Sequence, residues 1–169
     1  MTHAMYSRPV LRPDADALPP PKAQLIARAL SLQSARARGD ALPQLLRGRQ
    51  LALMSSDAQG PAATLFLQAA TELGAHVSIV KPELDPHSSD ADVAATARLL
   101  GRLYDAVECQ GLPDMLVARL AQAAAIPVFA GLAGSTHPSV ALISTLPDEA
   151  PADDKRRLLV QAMLAHCLE

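Results

Sequence analysis

Residues 51–80 read LALMSSDAQGPAATLFLQAATELGAHVSIV. The run Leu51-Ala52-Leu53-Met54 is short, apolar at every position and closed by Ser55-Ser56-Asp57, which suits a strand buried on both faces better than a helix. Pro61 then opens a segment in which Leu65, Ala69 and Leu73 share one face with Phe66 and Ala70 beside them, and Gly74 ends it. Proline at the first helical position and glycine past the last punctuate a helix, and a serine or aspartate of the preceding turn is the expected cap. A second apolar run, Val77–Val80, follows at once. Strand, helix and strand within about thirty residues make one crossover unit.

The unit repeats. Ala106–Cys109 and Pro127–Ala130 are two further apolar runs, and the segments before them carry Val93, Ala97 and Leu100, then Leu116, Leu120 and Ala123, at helical spacing. Upstream, Leu25, Ala29 and Leu32, flanked by Ile26 and Leu30, mark a helix from Lys22 to about Arg38, with Gly39 as its stop. Downstream, Leu158/Leu159, Ala162/Met163 and Leu168 mark a last amphipathic helix, about residues 153–168, opened by acidic residues. The predicted fold is therefore α/β: a doubly wound parallel sheet of about four strands with helices on both faces, one domain over residues 20–169. Residues 1–19 are predicted to be a flexible arm, because prolines, arginines and Asp14 and Asp16 leave too few apolar positions to offset ordering entropy.

Composition narrows the function. With 169 residues, a formal net charge of −2 and half its residues hydrophobic, the chain has the makings of one packed core. Near-balanced charge, two Phe, two Tyr and no Trp give neither the basic excess nor the stacking rings of most nucleic-acid binders. No stretch approaches the roughly 20 apolar residues of a membrane span, and the start has the pattern of neither a secretion signal nor a transit peptide, so a cytoplasmic protein is expected. Cys109 and Cys167 are isolated and read as reduced, partly buried thiols. His3, His76, His87, His137 and His166 lack ligand spacing, and there is no G-x-G-x-x-G or Walker lysine, so neither metal nor cofactor is expected.

In an open parallel sheet, ligands sit beyond the carboxyl ends of the strands, here the loops Ser55–Pro61, Glu83–Asp92, Gln110–Pro113 and Gly131–Val140. The first of these leads into a helix N-terminus, yet Pro61 lacks an N–H, Ala62 and Ala63 bring no side-chain donor, and Asp57 repels an anion. Ser88-Ser89-Asp90 reads as a helix cap. His137-Pro138 offers an imidazole able to donate to a carbonyl or carry a proton; the alternative is a structural or solvated loop histidine.

Several runs, taken in order, resemble the transcarbamylases. These are Glu72-Leu73-Gly74-Ala75-His76-Val77, Ala95–Glu108, Ile126-Pro127-Val128-Phe129-Ala130-Gly131-Leu132 and His137-Pro138. The resemblance is to the N-terminal, carbamoyl-phosphate-binding domain of ornithine and aspartate carbamoyltransferases, over roughly Lys22 to Leu146. It implies that the family's Ser-Thr-Arg-Thr-Arg phosphate motif falls on Gln59-Gly60-Pro61-Ala62-Ala63, its Glu-x-Arg-Gly arginine on Gln110, its Gly-Glu-Ser on Asp90-Ala91-Asp92, and its His-Pro-x-Gln on His137-Pro138-Ser139-Val140. Gln59, Gly60, Pro61, Ala62, Ala63, Gln110, His137, Pro138 and Val140 are thus the vestigial ligand positions, and His137 is the one candidate catalytic remnant. Charge-assisted hydrogen bonds to phosphate contribute about 1.5–3 kcal/mol each, so losing three arginines removes at least roughly 5 kcal/mol of affinity. Asp153–Leu164 is similar to the family's final helix, which returns from the C-terminal, amino-acid-binding domain to pack on the N-terminal one.

The function this implies is that of a non-catalytic transcarbamylase-like protein with a structural or regulatory role. Its expected partners are copies of itself, most simply in a trimer, or an active transcarbamylase in a mixed assembly. Two alternatives stay open: a subunit that still binds carbamoyl phosphate or a related ligand, and a small-molecule sensor using the vacated pocket. Binding of the phosphate separates the first from the others, and a neutral or apolar ligand would identify the second.

Overall fold

Each apolar run forms a strand: β1 is Gln50–Ser55, β2 His76–Val80, β3 Ala106–Gln110 and β4 Val128–Ala130. The computed structural model describes residues 21–148 and 150–169, so the arm expected over residues 1–19 lies outside the described residues. Among these residues the helices are α1 (Lys22–Ala37), α2 (Pro61–Glu72), α3 (Asp90–Leu103), α4 (Asp114–Ala123) and α5 (Ala152–Leu168), with a 3-10 helix at Pro138–Thr145. All strand pairs are parallel, in the order β2-β1-β3-β4. From β1 the chain winds outward to β2, then returns past β1 to β3 and continues to β4, so the winding reverses between β1 and β3. There Ser55 stands opposite Gln110.

The strands are apolar throughout because both faces are covered. Leu51 and Leu53 pack with α1, α2 and α5 in one layer, while Ala52 and Met54 pack with α3 and α4 in the other. This two-residue alternation feeds two cores from one strand. Helix α5 lies between α1 and α2 and is buried round most of its circumference, Leu158, Leu159, Met163 and Leu164 among the enclosed side chains.

The helix ends follow the sequence reading with one correction. Ser89 caps α3 by accepting from the Asp92 N–H at 3.1 Å. Helix α2 does begin at Pro61, but its cap is Gly60 and no serine or aspartate side chain serves it. The Ser55 hydroxyl instead accepts from the Asp57 N–H at 3.1 Å, which spends it on the turn before the helix. Both cysteines are free, Cys109 buried and Cys167 half-buried. Among the described residues no helix is long and apolar enough to cross a membrane, and no three His, Cys, Asp or Glu side chains gather as a metal site would require.

Candidate functional site

Beyond the ends of β3 and β4 lies a cavity of about 330 Å³, walled by Gln110, Gly111, Leu112, Asp114, Val117, Gly131, Gly134, Thr136, His137 and, from α2, Ala62. Gly111 and Gly131 follow their strands directly with φ of 71° and 64°, so each strand leaves the sheet through a left-handed turn that a side chain would strain. The cavity thus sits beside the point where the winding reverses.

Of the vestigial ligand positions, Ala62, Gln110 and His137 meet at this cavity. Gln59 and Pro61, with Ala62 again, line a larger hollow of about 730 Å³ between α2 and the start of α5, which Asp153, Arg156 and Arg157 also border. Ala63 points into the core and is buried. Gly60 is the cap of α2. Pro138 and Val140 are half-buried on the 3-10 helix and line neither hollow.

A buried polar network backs the cavity. Glu108, in the middle of β3, is fully buried and its carboxylate accepts from Gln110 Nε2 at 3.1 Å, from the Leu132 N–H at 3.1 Å and from the Ala133 N–H at 3.3 Å. Burial pushes its carboxyl up to about 7, against the opposing pull of these three donors and of Arg156. From α5, Arg156 donates to the Leu132 carbonyl at 3.2 Å, to the Gly134 carbonyl and to Ser139 Oγ at 3.0 Å. The loop after β4 is thereby held by its N–H groups from β3 and by its carbonyls from α5.

His137 is the best-placed chemical group. It caps the 3-10 helix, with Nδ1 accepting the Ser139 N–H at 3.2 Å and standing 2.8 Å from Ser139 Oγ. With Arg156 donating to that hydroxyl oxygen, the hydroxyl proton is left for Nδ1, and the ring proton is therefore on Nε2. Burial first, and Arg156 second, bring its pKa down to about 4, so the imidazole is neutral near pH 7. Nε2 is buried and has no hydrogen-bond partner among the described residues. The ring is a fixed donor, and no carboxylate among its hydrogen-bond partners raises its basicity.

The sequence motifs do not single out Glu108 or Arg156 as site residues. The signal for Glu108 was present: an acidic residue inside the buried run Ala106-Val107-Glu108-Cys109 requires buried donors. Arg156 gives no such signal, because an arginine in the first turns of a helix ordinarily faces water.

The arrangement supplies hydrogen bonds and shape. Among the described residues no lysine or arginine lines the smaller cavity, and Asp114 is their one charged side chain there. No family model matches the chain. An ornithine carbamoyltransferase of Cutibacterium acnes is 35% identical over 122 residues, which are 72% of this chain and 36% of that protein. The chain thus spans about a third of the length of the curated relatives it matches. Among solved structures, a mitochondrial ornithine carbamoyltransferase from Coccidioides immitis superposes with a TM-score of 0.64 at 21% identity, covering 82% of this chain and 44% of that one. A putative aspartate carbamoyltransferase from Trypanosoma cruzi gives 0.62 at 22%, covering 82% and 46%. Over 72% of its length the chain is similar in sequence to an ornithine carbamoyltransferase, and its sheet and helices share the fold of the carbamoyltransferase structures.

Proposed function

We propose that this chain is a non-catalytic carbamoyltransferase-like protein that acts by assembly, as a homo-oligomer, most simply a trimer, or with an active carbamoyltransferase, in the cytoplasm. The observation that carries this reading is that, among the described residues, no lysine or arginine lines the strand-end cavity, and the segment Gln59–Ala63 brings none to the neighbouring hollow, whose Arg156 and Arg157 come from α5. A phosphate in the strand-end cavity would rely on backbone amides and meet Asp114. Residues 20–169 then form one domain corresponding to the N-terminal domain of the resembling enzymes, closed by α5 in place of the amino-acid domain. Calorimetry with carbamoyl phosphate tests it directly. We expect no binding at millimolar concentration and no carbamoylation of ornithine or aspartate. A dissociation constant below about 0.1 mM, or about 5.5 kcal/mol, would overturn it.

Exposed apolar side chains support the assembly half of the reading. Ile79 on the edge strand β2 and Leu99 and Leu103 on α3 are each more than half exposed. Open edges and grouped apolar surface are features that association covers. A second reading, a small-molecule sensor, is favoured by the buried, unpartnered Nε2 of His137 beside a formed cavity.

A further inference from the structure

Helix α3 has an ordered face on each side. Val93, Ala97 and Leu100 face the core and are buried. On the outer side Asp92, Ala95, Leu99 and Arg102 are all exposed, Leu99 by 57%, and follow one another at steps of three, four and three residues. That alternation sets them in one line along the helix, the spacing at which two helices mesh their side chains. Leu103, also more than half exposed, lies beside the line at its C-terminal end.

Charge decides what fits this line, which begins with an aspartate, ends with an arginine and is apolar between. A parallel copy would set Asp92 against Asp92 and Arg102 against Arg102, which repels at both ends. An antiparallel copy reverses the order. Asp92 then faces the partner's Arg102 at each end, and Ala95 faces the partner's Leu99 in both central layers, a small side chain receiving a large one. Both charged groups are available for this. Arg102 makes no ion pair among the described residues, and Asp92 uses only Oδ2, which accepts from the Ser89 hydroxyl. The neighbouring acid, Asp90, is already paired with Arg119 of α4. Arg98 flanks the line, and its long stem keeps the guanidinium in water.

We propose that two copies of this chain associate through α3, antiparallel about a two-fold axis level with Ala97, with two Asp92–Arg102 ion pairs closing a Leu99–Ala95 centre. The proposal rests on the assembly reading and makes the contact between copies two-fold, so a dimer and not a trimer is its direct product. Such a contact is self-complementary and closes at two copies, which leaves no open end to grow a fibre.

Two charge variants of the full chain test the pairing. Asp92→Lys makes both ends of the line positive and Arg102→Glu makes both negative, so each is expected to self-associate at least tenfold more weakly than the parent dimer. Their equimolar mixture should form dimer again, because every facing pair is then opposite in charge. Sedimentation velocity at tens of micromolar reads the masses, and melting curves verify folding. Because Asp92 also serves the α3 cap through Ser89, Leu99→Lys at an exposed position is the second variant, expected to be monomeric with the parent's melting curve. A parent trimer, a mixture that stays monomeric although both variants fold, or an oligomer untouched by Arg102→Glu and Leu99→Lys would overturn this proposal and leave the assembly reading standing. A monomeric parent with no carbamoyltransferase co-purifying would overturn both, and a monomeric parent with one co-purifying would overturn this proposal alone.

Discussion

Glu108 and His137 are shifted in opposite directions by the same burial, and the two shifts interlock. Glu108 rises from an ordinary 4.5 to about 7, so the folded state favours its proton; its contribution to stability is complete below 4.5 and is lost as pH rises through 7. His137 falls from 6.5 to about 4, so the folded state disfavours its proton; its contribution is complete above 6.5 and is lost as pH falls through 4. Between about 4.5 and 6.5 the folded pair binds one proton, on Glu108, and the unfolded pair also binds one, on His137. Equal proton numbers mean zero slope, so this pair contributes no pH dependence to the melting temperature across that window. Each replacement exposes the other group. Glu108→Gln should lose roughly 1.4 kcal/mol per pH unit as pH falls from 6.5 to 4, and His137→Phe about the same as pH rises from 4.5 to 7. Denaturant titrations at four pH values check this, and parallel slopes in both variants would exclude the coupling. At this scale the sequence reading was uneven. His137-Pro138 stands out as a motif, whereas Arg156, which donates to the Ser139 hydroxyl that faces the ring, lies on the last helix and only the fold brings it there.

Elements were far more legible, because strand and helix positions follow local periodicity. The four apolar runs match β1–β4 within a residue at each end, α1 and α5 begin and end within a residue of their predicted limits, α2 begins at Pro61 as predicted, and the apolar faces predicted for the other two helices fall within α3 and α4. Two features escaped. The 3-10 helix at Pro138–Thr145 reads only as a turn, since a tight i to i+3 segment leaves no apolar stripe of its own. The cap of α2 is a glycine whose backbone conformation, not its side chain, ends the turn. Helix α5 carries the sharpest prediction here. Cutting the chain after Pro151 would uncover the α1 and α2 surfaces and remove Leu158, Leu159, Met163 and Leu164, each contributing about 1.5–3 kcal/mol by burial. The truncated protein should be insoluble or melt far lower. An unchanged thermal midpoint would show that α5 is dispensable and that the domain closes without it.

For the molecule as a whole, the expectation is a stable oligomer burying more than roughly 1,000 Å² in total, as a specific interface requires. Closed cyclic symmetry satisfies one exposed patch per copy without forming fibres. Leu99→Glu with Leu103→Glu places two charges on the exposed side of α3, and light scattering should then report monomer while the melting temperature stays within a few degrees. A monomeric parent protein at tens of micromolar, with no carbamoyltransferase co-purifying, would instead favour the sensor. The loop from Gly131 to His137 bears on how such a molecule moves. Strand-end loops usually belong to the least stable units of a fold and trade their amide hydrogens with solvent quickly. Here the Leu132 and Ala133 amides are bonded to a carboxylate inside the sheet, and the adjoining carbonyls to a guanidinium of the last helix. Those two amides should therefore exchange in deuterated solvent as slowly as the sheet itself, a rigid island among faster loops, whose opening reports the moment the last helix lets go.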